Sequence, residues 1–141
     1  MTVDRAQRIL GIIWLTGTVL FAALVFAIMA GGALGERSGE LSKWFVPYVF
    51  PTATLMIGVL VQKFRDKTGD APLEDPFLFR LALVFQIVYF VALLVTIVTP
   101  FAKGSTDVIG FLTSTATVLL TPLQGLTTGI LGAFFVEKKK S

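Results

Sequence analysis

Four stretches of the chain, Ile9 to Gly35, Trp44 to Gln62, Leu81 to Ala102 and Val108 to Val136, carry no Asp, Glu, Lys or Arg. This limits the possible folds more than any other feature. A helix needs about 20 mainly apolar residues to cross a hydrocarbon core of roughly 30 Å, and each run reaches or nearly reaches that length. A composition that is 55% hydrophobic and 15% charged over 141 residues is too apolar for an ordinary soluble domain and agrees with four crossings. The sequence predicts an all-α integral membrane four-helix bundle, a single domain over 1–141 with spans at about 9–35, 44–62, 77–101 and 108–136. The first run far exceeds the roughly 7 to 15 apolar residues of a secretory signal, so it reads as a retained span.

Lysine and arginine set the orientation, because cytoplasmic connections hold positive charge. Arg5, Arg8, Lys63, Arg65, Lys67, Arg80, Lys138, Lys139 and Lys140 fall on one side, and Arg37, Lys43 and Lys103 on the other. Nine against three predicts both termini and the middle loop, 63–75, in the cytoplasm, and a multi-pass protein of the cytoplasmic membrane if the source is bacterial. The terminal Lys138, Lys139 and Lys140 then face anionic lipid headgroups as a basic anchor. Asp75-Pro76 suits the start of the third span, with Asp as cap and Pro at the first helical position. Ser105, Thr106 and Asp107 suit a cap on the fourth. Trp44 and Tyr48 are expected as interfacial anchors at the start of the second span, and Trp14 at headgroup level if the first helix begins late.

The last span has two different faces. At 100° per residue, an arc of about 160° collects Gly110, Thr113, Ser114, Thr117, Thr121, Gln124, Gly125, Thr128, Gly129 and Gly132. The other face, Leu112, Leu119, Leu120, Leu123, Leu126 and Ile130, suits lipid. The expectation is that the hydroxyl and glycine strip turns away from acyl chains, toward close helix contact or a wet cavity. Gly125 and Gly129 form a GxxxG, which lets two backbones approach closely. The strip seats either against the other helices of the same chain or against a second copy. Ala23, Ala27 and Gly31 on the first span offer a ridge of small residues as its counter-surface.

Gln86 and Gln124 are the amides well inside the spans, and an unpaired amide in hydrocarbon costs several kcal/mol. Both are expected to point inward, with Gln86 one turn from Tyr89 and meeting Gln124 or a nearby threonine. Pro47, Pro51 and Pro122 each remove a backbone donor and crowd the preceding turn, so bends are expected there. Pro122 would open carbonyls around Val118 where threonines can satisfy them.

The residues also narrow the chemistry. Cys, His and Asn do not occur, which excludes disulfides, thiol nucleophiles and metal or haem sites built on Cys or His. No ionisable group apart from tyrosine lies within the spans, against the usual needs of coupled carriers, pumps and voltage sensors. Hydroxyls without a base nearby do not make a nucleophile. The net charge of +3 is sorted by membrane side and forms no nucleic-acid patch. The sequence thus points to a non-enzymatic membrane subunit without cofactor, catalytic or metal site. It acts by helix assembly with itself or a membrane-protein partner. The alternative is an oligomeric pore or facilitator for a neutral solute or weakly selected ion. In either case the working residues are Thr113, Thr117, Thr121, Gln124, Gly125, Thr128, Gly129, Gly132 and Gln86, with Pro122 as the kink.

Overall fold

The computed structural model describes residues 2–65 and 76–136, all helix and tight turn, without strand among them. Four helical spans, Val3–Ala30, Gly35–Val61, Pro76–Ala102 and Val108–Phe135, are long and apolar enough to cross a membrane. The terminal lysines Lys138, Lys139 and Lys140, most of the middle loop and the cap expected at Asp75 lie outside the described residues.

Helix α1 (Val3–Ala30) starts where the Thr2 hydroxyl accepts a hydrogen bond from the Arg5 amide at 3.4 Å. It ends in a turn in which Gly32 and Gly35 take φ of 70° and 54°, a left-handed conformation that side chains resist. Helix α2 (Ser38–Arg65) contains Pro47 and Pro51, and α3 (Pro76–Ala102) contains Pro100 near its end. The fourth span is broken in two. α4 (Val108–Thr115) passes into one wide π-helical turn, Ala116–Leu120, and continues as α5 (Thr121–Val136).

The expected cap is present at Asp107, whose carboxylate accepts from the Gly110 amide at 3.0 Å. A Cβ on Gly110 would lie 2.1 Å from the Asp107 Oδ2, so a side chain at 110 would displace the capping carboxylate from this position. The bend expected at Pro122 takes the form of the wide turn. Pro122 has no amide hydrogen and its ring crowds the carbonyl one turn back, so the ladder before it opens to longer steps. The Thr121 amide and hydroxyl both donate to the Ala116 carbonyl, the hydroxyl at 3.2 Å.

The helices form a ring in which α1 packs against α2 and α3, while α4 and α5 close it against α3 and α2. At the hairpin end, the Arg37 guanidinium bridges the two connections, 3.0 Å from Glu40 and 3.4 Å from Asp107. The interior is built from large side chains: Leu10, Trp14, Leu41, Met56, Tyr89, Leu93, Ile97, Leu112, Leu120 and Leu131 are fully enclosed. A stack of rings lines the seam between α1 and α3, with Phe90 4.8 Å from Trp14 and 5.6 Å from Phe21. Small residues serve this seam too, since a Cβ on Gly17 would fall 2.4 Å from the tip of the Phe90 ring.

Two rings expected at the membrane surface are turned into the bundle. α1 begins at Val3, not late, and Trp14 stands three turns in, its ring enclosed between helices. Trp44 also turns inward, donating its indole hydrogen to the Leu112 carbonyl at 3.2 Å. In both cases the flat ring fills interhelical volume that aliphatic side chains leave open.

Candidate functional site: the faces of the fourth span and the polar core

The leucine side of the fourth span, expected to face lipid, is the side turned into the bundle. Leu112 and Leu120 are fully buried, Leu123 and Ile130 pack partly against the core, and Leu119 and Leu126 remain outside. Gly110, Thr113, Ser114, Thr117, Thr121, Gly125 and Gly129 face outward, against the expectation that the strip seats the helix on its own chain. A methyl group on Gly125, Gly129 or Gly132 would meet no atom within 4 Å beyond its own helix. The ridge at Ala23, Ala27 and Gly31 is exposed as well, so the first and fourth spans do not meet through these faces.

The inversion has a physical reason. Hydroxyls at 117 and 114 are satisfied within their own helix: Thr117 donates to the Thr113 carbonyl at 2.9 Å and Ser114 to the Phe111 carbonyl at 3.1 Å. A hydroxyl bonded in this way makes no demand on a neighbouring helix. Leucine and phenylalanine supply the bulk that fills the space between helices. Phe134, for example, is buried against Phe79 with ring centroids 6.2 Å apart.

The flank of the polar arc behaves differently. Gln124 and Thr128 are half-buried and turned toward α2. The Gln124 amide donates to the carbonyls of Pro47 and Tyr48, both at 3.2 Å, and the Thr128 and Thr52 hydroxyls lie 3.1 Å apart. In a regular helix the Pro47 carbonyl accepts from the amide at position 51, but that residue is Pro51 and has no hydrogen to give. Gln124 therefore supplies the donor that Pro51 lacks. The Tyr48 carbonyl also accepts from the Tyr89 hydroxyl, so α2, α3 and α5 meet at one polar node beside Pro47 and Pro51.

Gln86 does not meet Gln124. It is fully buried and donates to the Leu10 carbonyl of α1 at 3.0 Å. The pairing expected between the two amides is thus replaced by separate bonds to main-chain carbonyls, one from Gln86 and two from Gln124. The proline periodicity of α2 was the signal available for one of them: a carbonyl orphaned four residues before Pro51 needs a donor from elsewhere. The Leu10 acceptor left no such mark in the sequence.

Among the described residues no three acidic, histidine or cysteine side chains gather as a metal site. No protein family, curated sequence or solved structure matches the chain.

Proposed function

We propose that the chain is a multi-pass membrane subunit, both termini cytoplasmic, that works by helix–helix assembly through the outward strip Thr113, Thr117, Thr121, Gly125 and Gly129. The observation that carries this reading is the uselessness of those glycines to the chain's own fold. Each glycine inside a helix costs about 0.5–1 kcal/mol relative to alanine. Gly125 and Gly129 have ordinary helical backbone and touch nothing that requires them to lack a side chain. A second helix laid on the strip would make use of that flat surface, gaining dispersion and Cα–H···O contacts at short backbone separation.

Assembly is tested by the mass of the purified particle in detergent. Thr121→Leu and Gly125→Leu should reduce an oligomer to the single chain while leaving its helix content intact. A particle that is monomeric in its native form, or unchanged by both substitutions, rejects the reading. The outward hydroxyls of Thr113, Ser114 and Thr117 support a second reading in which a ring of copies lines a path for a neutral solute or weakly selected ion. That version requires flux into liposomes that Thr117→Phe blocks without dissociating the oligomer.

A further inference from the structure

The seam between α1 and α3 encloses one hydrogen-bond donor and one acceptor that no protein group satisfies among the described residues: the indole Nε1–H of Trp14 and the amide Oε1 of Gln86. Both residues are 0% exposed. They face each other across this seam, because Gln86 is bonded to the Leu10 carbonyl, one turn before Trp14, and Trp14 stacks on Tyr89, three residues after Gln86. Neither group is free to turn away. The indole is held between Tyr89 and Phe90, at centroid distances of 5.5 and 4.8 Å. The amide is fixed by its 3.0 Å bond to Leu10, and exchanging its two ends would set oxygen against oxygen at that carbonyl.

In a soluble protein such groups can recover a partner by small openings toward bulk solvent. Between helices that cross a membrane they cannot, and an unpaired group at that depth costs several kcal/mol. What satisfies both is a neutral species that accepts from the indole and donates to the amide oxygen. We propose that a single buried water molecule bridges Trp14 Nε1–H and Gln86 Oε1, with the Leu10 carbonyl at hand as a second acceptor. Buried waters typically hold two to four such partners. A charged ligand is disfavoured, because the described residues around this seam offer no countercharge.

The chain carries its own control, since it has two tryptophans and the Trp44 indole is already bonded to the Leu112 carbonyl. With ¹⁵N-labelled indoles in deuterated detergent micelles, the Trp14 Nε1–H should show a cross-relaxation peak to water with the sign of a long-lived contact. The Trp44 Nε1–H should show none. Gln86→Leu should abolish the Trp14 peak and leave the Trp44 resonance in place. The proposal is overturned by a Trp14 indole without a water contact, or by a contact that persists in Gln86→Leu. Should that variant fail to fold, the native spectrum still tests the proposal, because a Trp14 indole without a water contact overturns it.

Discussion

Gly17 and Gly125 are both helical glycines, yet the structure gives opposite expectations for the same substitution. A Cβ at position 17 would lie 2.4, 2.7 and 2.8 Å from Cζ, Cε2 and Cε1 of Phe90. Ordinary contact is about 3.4–4 Å, so the ring would have to retreat by roughly 1 Å. It has little room, being stacked on Phe21 at 5.6 Å and tilted against Trp14 at 4.8 Å. Overpacking of this kind costs typically about 1–3 kcal/mol. At position 125 nothing lies within 4 Å. The helix-propensity gain of alanine, about 0.5–1 kcal/mol, applies at both sites and cancels in the comparison. Gly17→Ala should therefore be less stable than Gly125→Ala by about 1–3 kcal/mol, or roughly 5- to 150-fold in the unfolding equilibrium. The measurement is equilibrium unfolding in mixed detergent micelles, at dilutions where both variants are single chains. Equal stability, or a less stable Gly125→Ala chain, would refute both the Phe90 contact and the outward placement of the strip.

Gln124→Leu should lower stability by about 0.6–2 kcal/mol, the range for a hydrogen bond between membrane helices. Pro51→Ala should shrink that loss by returning an amide donor to the Pro47 carbonyl, so a double-mutant cycle in the same unfolding assay should show coupling between the two sites. Additive effects would mean that Gln124 does not answer the proline. Because the chain has no native cysteine, Thr52→Cys with Thr128→Cys gives an unambiguous cross-link between α2 and α5, and oxidation should close it readily. Adding Pro122→Ala should slow that closure, as the wide turn at Ala116–Leu120 tightens and rotates α5 relative to α4; an unchanged rate would show that proline does not maintain the turn.

Much of the scaffold could be read from residue types. Charge-free runs located the four apolar helices, Asp107 announced a cap, and Pro122 announced a break in the ladder. The amides were harder. That Gln86 and Gln124 needed partners followed from their chemistry, but their acceptors are main-chain carbonyls on other helices. Every residue carries such a carbonyl, so sequence cannot single one out unless a proline, as at Pro51, has removed its usual donor.

By itself the sequence determined that the last helix has two unlike faces and where each lies around its axis. Only the tertiary structure decided which of them turns inward. In water the leucine side would have no choice, because leaving it exposed costs free energy in proportion to its area. In a helix long and apolar enough to cross a membrane, as this one is, acyl chains would take the place of water and that force would vanish, leaving leucine equally at home beside lipid or beside another helix. The threonines meanwhile satisfy their hydroxyls on carbonyls of their own helix. With neither face compelled, the outcome fell to volume: Leu112, Leu120, Leu131 and Phe134 fill the space between helices, and Gly125 and Gly129 are left outside.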